Sequence, residues 1–221
     1  MYEPLFIAFA GNIGAGKSTA AKIVADHYDF EIFYEPVVEN RFLKQYYADM
    51  KRWSFTLQME FLLKRIEHHV DIGNTTQGCV QDRTLIEDPE IFAKYLHGLG
   101  YMSDAELDLY FDYFRRFNSQ ITQPNKIILL HTSDVNVLLR RISERGREEE
   151  SGITAEFLRG LNAYYETFEQ VAKRKYELDI LKVDVSDVDI RKGEGQARFL
   201  DQVRAFLEKD RKQSAKLPLN F

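Results

Sequence analysis

A single cysteine, Cys79, stands in 221 residues, so no disulfide can form within the chain and its core has to hold the fold. Such usage suits a reducing compartment, and a cytoplasmic setting is expected. Cys79 itself lies in the run Gly78-Cys79-Val80-Gln81 and reads as a small core residue rather than a nucleophile. Long hydrophobic runs are missing too: no stretch approaches the roughly 20 apolar residues that a membrane-spanning helix needs. The first residues show no basic-then-apolar leader pattern, because the opening apolar run is short and leads straight into a glycine-rich loop. Positive charge is not in excess. Thirty Lys and Arg against 35 Asp and Glu leave a net charge of −5, which argues against a nucleic-acid polymer as partner. A small anionic substrate stays open, since local basic clusters matter more than the total. Internal repeats and interdomain linkers are lacking, and 44% hydrophobic content over this length suits one globular domain, residues 1–221.

What is present begins with Gly11-Asn12-Ile13-Gly14-Ala15-Gly16-Lys17-Ser18-Thr19, directly after the apolar run Leu5-Phe6-Ile7-Ala8-Phe9-Ala10. The apolar run reads as a buried strand. Glycines let the backbone curl so that successive N–H groups face one anion, and the following helix adds its positive N-terminal end. This is the strand–loop–helix context of a phosphate-binding P-loop, in which Lys17 reaches the outer phosphates and Ser18 holds Mg2+. A glycine-rich turn capping an ordinary strand–helix unit is the competing reading. The loop points to a nucleoside triphosphate such as ATP, and leaves open what is done with it.

Strand-like and helix-like segments alternate along the rest of the chain. Helices are predicted over residues 17–28, 43–72 (two helices, or one interrupted near Trp53), 86–99, 104–121, 135–145, 154–175 and 195–209. Further strands are predicted over 30–34, 79–81, 127–131 and 180–183. This alternation implies an α/β fold with a mostly parallel, five-stranded sheet flanked by helices. Right-handed crossovers then bring the carboxyl ends of the strands to one edge, where the P-loop, Glu35 and Asp82-Arg83 are expected together. Residues 210–221 read as a disordered polar tail, with a partner-dependent arm as the alternative.

Three further features bear on the chemistry. Glu35-Pro36-Val37 ends the second strand, and a carboxylate there lies near a terminal phosphate, where it can take a proton from an attacking hydroxyl. A solvated loop glutamate is the alternative. Asp82-Arg83-Thr84 follows the third strand: the acid can support Mg2+ through water, and the arginine can neutralise charge near an acceptor hydroxyl, unless the two only form structural salt bridges. Arg140-Arg141-Ile142-Ser143-Glu144-Arg145-Gly146-Arg147-Glu148-Glu149-Glu150-Ser151-Gly152, basic residues flanking a glycine, suits a mobile lid over phosphates, about residues 145–152; a charge-laced helix end is the plainer reading. The N-K-x-D signature of guanine-reading G proteins is missing.

Together these motifs, with Tyr47-x-Asp49-x-x-Arg52-Trp53-Ser54-Phe55-x-x-Gln58, resemble the deoxyribonucleoside kinase family over nearly the whole chain, above all its bacterial deoxyadenosine, deoxycytidine and deoxyguanosine kinases. The resemblance implies a P-loop kinase fold with a short arginine-rich lid, ATP as donor, Mg2+, and a homodimer that binds no nucleic-acid polymer or membrane. It implies Glu35 as the general base, Lys17 and Arg83 on the phosphates, Asp82 as the acid beside Arg83, and Arg145 and Arg147 on the transferring group. On the acceptor side it implies Tyr47 and Glu150 on the sugar 3′-hydroxyl, Gln58 on the base, Phe92 stacked on it, and Arg65 with Asp88 as a base-reading pair. Gln58 and Arg65 are seven residues apart and would share a helix face. Asp82-Arg83-Thr84 and Asn40 depart from the Glu-Arg-Ser and tryptophan of many eukaryotic members. The resemblance favours deoxyadenosine as acceptor, then deoxycytidine or deoxyguanosine. Other small-molecule or nucleoside-monophosphate P-loop kinases, a non-catalytic nucleotide-binding subunit and a switch ATPase are the rival readings.

Overall fold

The computed structural model describes residues 4–35 and 40–214, the side chains of the last five excepted. Pro36 and Val37, and the tail from residue 215, lie outside the described residues. The apolar run after Leu5 becomes β1 (Phe6–Gly11), every residue of which is buried. Burial on both faces explains why that run shows no alternation. β1 lies at the centre of a parallel sheet, between β3 (Cys79–Asp82) and β4 (Lys126–His131). β2 (Glu31–Phe33) forms one edge and β5 (Ile180–Asp184) the other, giving the order β2-β3-β1-β4-β5. The expected five-stranded parallel α/β architecture is therefore present. The chain winds out to β2 and β3 on one side of β1, then crosses to β4 and β5 on the other. Loops at the carboxyl ends of the central strands diverge there and leave a crevice. The register pairs Phe9 with Asp82 and Gly11 with Leu130, so the P-loop starts beside the Asp82-Arg83 turn.

Helices α1 (Lys17–Tyr28), α2 (Leu43–Ala48) and α3 (Met50–Asn74) come first, followed by α4 (Lys94–Gly98) and α5 (Asp104–Asn118). α6 (Val135–Arg145), α7 (Ala155–Tyr176) and α8 (Gly193–Ser214) complete the set. α7 buries Phe157, Leu158, Leu161, Tyr165, Phe168 and Ala172, a three-to-four-residue spacing that turns one stripe inward. Leu158 and Leu161 are fully enclosed, and truncating either to alanine is expected to cost about 2–5 kcal/mol. Among the described residues no helix is long and apolar enough to cross a membrane.

Several boundaries differ from the sequence expectation. The break in 43–72 falls at Asp49, four residues ahead of Trp53: Asp49 is non-helical, at φ −149° and ψ 84°, and its carboxylate accepts the Arg52 N–H at 3.0 Å to cap α3. Residues 86–99 do not form one α-helix; a π-helical turn, Asp88–Ala93, precedes α4. The helix predicted to residue 121 stops at Asn118. α8 begins two residues early and runs on to Ser214, so residues 210–214 are helical backbone rather than tail. Gly146 at φ 68° ends α6, and the charged segment after it forms a single 3-10 turn, Glu148–Gly152.

Candidate active site

A cleft of about 950 Å3 opens at the carboxyl edge of the sheet, with the P-loop at one end and α2, α3 and the π turn at the other. Its loop end is shaped by glycine. Gly14 has φ 80°, and a Cβ there would meet the Leu138 carbonyl oxygen at 2.7 Å. Gly16, also left-handed, precedes α1 without a side-chain cap, and the first turn carries no acidic residue of its own to occupy its N–H groups. Lys17 is buried along the loop and donates to the Gly11 and Asn12 carbonyls at 2.8 and 3.2 Å. Burial first, then the Arg83 cation, lowers its pKa to about 8.

Ser18 and Asp82 meet as expected: the hydroxyl donates to Asp82 Oδ2 at 2.5 Å. Asp82 Oδ1 is buried without a hydrogen-bond partner, and burial raises the pKa of this carboxyl. A hydroxyl beside an undercompensated carboxylate is a hard-oxygen set that suits Mg2+ or its water. Among the described residues no cluster of three or more His, Cys, Asp or Glu could hold a metal alone, so such an ion would share its ligands with phosphates.

Glu35 stands just past β2, its Oε1 accepting from Arg83 Nε at 2.5 Å and Arg65 Nη2 at 3.2 Å. Burial alone would raise this carboxyl, but Arg83, Arg65 and Lys17 outweigh it and hold its pKa at about 2. Arg83 adopts φ 83°, a conformation that a non-glycine side chain keeps only where its surroundings hold it. Its guanidinium lies 4.6 Å from the Phe92 ring centroid.

The end of the cleft away from the P-loop is lined by Tyr47, Gln58, Arg65, Asp88, Phe92 and Glu150. Gln58, Phe61 and Arg65 line the cleft from one face of α3. Gln58 is buried, and its Oε1 has no partner. Arg65 is clamped: Nε and Nη2 donate to the two oxygens of Asp88, the latter at 3.1 Å, while Nη1 reaches the Arg83 carbonyl at 3.4 Å. Asp88 and Phe92 sit four residues apart on the π turn, where the wider winding brings both to the cleft. Tyr47 lines the wall from α2. In the 3-10 turn after α6, Glu150 is buried and accepts from Arg145, and from Arg147 at 3.3 Å. Glu150 and the two arginines are thus one ion-paired unit.

Two P-loop residues do not line the cleft. Gly11 is engaged from behind by Glu87 and Tyr165, and the Asn12 amide donates to Leu158 O and Asn162 Oδ1 on α7, at 3.0 and 2.7 Å. Sequence reasoning missed Glu87 and Tyr165 altogether; Arg141, read there only as part of a basic run, ties Ala15 O to Val185 O. It also missed the cleft wall at residues 185–191. The position of that segment after the last strand was the available signal.

A P-loop at the carboxyl edge of a parallel sheet, opening into a chamber of buried polar side chains, defines a P-loop α/β protein built for two ligands. The sequence model of the family described as deoxynucleoside kinase matches residues 7–208, and the chain belongs to that family. It is 31% identical to the deoxyadenosine/deoxycytidine kinase of Bacillus subtilis, over 94% of this chain and 95% of that one. It is 34% identical to the deoxyadenosine kinase of Dictyostelium discoideum, over 77% of this chain and 69% of that one. Among solved structures, deoxyadenosine kinase from M. mycoides with bound dATP superposes with a TM-score of 0.75 at 30% identity, covering 93% of this chain and 98% of that chain.

Proposed function

We propose that the chain transfers the γ-phosphoryl group of ATP to the 5′-hydroxyl of a deoxynucleoside, deoxyadenosine first and deoxycytidine or deoxyguanosine second, in nucleotide salvage. The observation that carries this reading is the junction of the two chambers, where Glu35 Oε1 is held by Arg83 and Arg65 between the P-loop and the Gln58 pocket. A 5′-hydroxyl placed there has a carboxylate to take its proton and cations to meet the charge that develops on the phosphoryl group. Lys17 holds the donor phosphates, and Arg145 and Arg147 close on them. Mg2+ arriving with ATP supplies further charge neutralisation, with Ser18 and Asp82 as the residues that would hold it. Tyr47 and Glu150 take the sugar 3′-hydroxyl.

Base choice has a physical argument behind it. The unpartnered Gln58 Oε1 wants a donor, such as the exocyclic amino group of adenine or cytosine, beside an Asp88 whose oxygens Arg65 already holds. A base without one leaves that buried acceptor unpaired, which is how such a pocket rejects it. The named substrates of the relatives above agree with this preference. The same reading takes the chain as one kinase domain with a lid at residues 145–152, cytoplasmic, and working as a homodimer with neither membrane nor nucleic-acid polymer as partner. Exposed apolar side chains on the packed helices α3 and α5 support the dimer.

The test is ATP consumption with each of the four deoxynucleosides in turn. Stimulation is expected to be greatest with deoxyadenosine. No stimulation by any of them would overturn the kinase reading, and a preference for thymidine would overturn the base assignment.

A further inference from the structure

Behind the cleft, out of reach of either ligand, lies a carboxylate that none of the chemistry above employs. Glu87 is fully buried. Its Oε1 accepts the N–H of Gly11, the first residue of the P-loop, at 2.9 Å. Its Oε2 accepts the N–H of Thr84, the residue after Arg83, at 3.0 Å; that N–H is shared with the Phe9 carbonyl. Arg83 Nη1 stands 3.5 Å from Oε1, on the side of the guanidinium away from Glu35. The Tyr165 hydroxyl closes the cluster, 2.6 Å from Glu87 Oε1, 2.8 Å from the Gly11 carbonyl and 3.4 Å from Arg83 Nη1.

We propose that Glu87, seconded by Tyr165, is a positioning residue that fixes the P-loop and Arg83 against each other, and so sets the donor phosphates in register with Glu35. The assignment rests on the kinase reading above. Its logic is one of acceptor count. One carboxylate oxygen faces the loop that holds the donor, and the other faces the turn that carries Arg83, so both must accept. Glutamine would turn an amide N–H toward one of two backbone N–H groups, and aspartate is a methylene too short to span them. Arg83 is held at a positive φ and gripped on both edges, by Glu35 at Nε and by the Glu87–Tyr165 pair at Nη1. Loosening the inner grip lets the guanidinium pivot and carry Glu35 with it. Small misplacements of that kind are costly to transfer, because they act on the geometry of the reacting atoms. The contacts of Gln58 and Asp88 with a base are made elsewhere, so nucleoside binding is left largely intact.

Tyr165→Phe keeps the ring and removes only the hydroxyl; Glu87→Gln keeps the side-chain volume and removes one acceptor. Turnover is expected to fall about tenfold in the first and about 10²-fold in the second, with the KM for the deoxynucleoside within about twofold of the parent. The double variant should be no slower than Glu87→Gln alone, since both act through one cluster. Turnover within twofold of the parent in Tyr165→Phe, losses confined to thermal stability, or independent multiplying effects in the double variant would overturn the assignment. Should Glu87→Gln not fold, Tyr165→Phe carries the test alone. A readout independent of turnover is the NMR resonance of Arg83 Nε, identified by its loss in Arg83→Lys. It should move in Tyr165→Phe, and an unmoved resonance overturns the proposal. Failure of every deoxynucleoside with the parent protein would instead strike the kinase reading and leave this measurement decisive.

Discussion

Glu35 is held as a carboxylate by its neighbours before any substrate arrives. Its low pKa makes it a weak base, which suits a transfer whose leaving-group bond loosens early and whose rate comes mostly from positioning and charge. Glu35→Gln preserves the shape but offers Arg83 and Arg65 an amide. Turnover is expected to fall by about 10²-fold or more with ATP binding retained. Near-normal steady-state turnover would remove Glu35 from the base role. Lys17 carries a prediction about pH. Burial, reinforced by the Arg83 cation, outweighs the carboxylates Glu87, Glu35 and Asp82 and brings this amine to about 8. The free protein therefore has a cation in the loop below that pH and a neutral amine above it. Since kcat/KM reports the free protein, its value for ATP should fall about tenfold per pH unit above about 8. A basic limb that begins only near the ordinary lysine value would mean that the carboxylates win.

The proposed lid is tied together as one element, because Glu150 accepts from both Arg145 and Arg147 while lining the cleft with Tyr47. Glu150→Ala removes that shared acceptor and the proposed partner of the sugar 3′-hydroxyl together. A hydrogen bond to a charged group is worth about 1.5–3 kcal/mol, so kcat/KM for a deoxynucleoside should drop by about 10- to 10²-fold. The loss should be smaller for the 3′-deoxy analogue, measured side by side; equal losses would leave Glu150 with the arginines only. The elements that form this wall were partly legible beforehand. Strands and most helices could be read from apolar runs and helical spacing. The split of residues 43–72 into two helices was legible, but its place at Asp49 rests on a local signal, a capping aspartate before a helical run, four residues ahead of Trp53. The π turn at Asp88–Ala93 had no such signal. Its residues are ordinary helix formers apart from Pro89, and only packing against α3, α5 and α7 selects the wider winding.

At the scale of the whole molecule, what could be read in advance is what lies close together along the chain or at the end of a strand. The P-loop is nine consecutive residues, and Glu35 and Arg83 each follow a strand that flanks it or lies one place further out. Glu87 meets Gly11 across 76 residues and Tyr165 meets it across 154, and no spacing rule connects them. α3 and α5 pack together, yet Leu63 and Val70 on the one and Leu109 and Tyr113 on the other are 48%, 54%, 45% and 43% exposed. Leu63 and Val70 are seven residues apart and share a face, as do Leu109 and Tyr113, four apart. Paired apolar positions on two neighbouring helices suggest a surface that is covered in solution. If the proposed homodimer forms there, Leu63→Lys combined with Leu109→Lys places charges where water is excluded, and neither side chain lines the cleft. Sedimentation velocity at micromolar concentration should then show a dimer for the parent and a monomer for the double variant, with the helical circular-dichroism signal unchanged. A parent that sediments as a monomer would remove the dimer from the proposal. A double variant that stays dimeric would place the interface on another face.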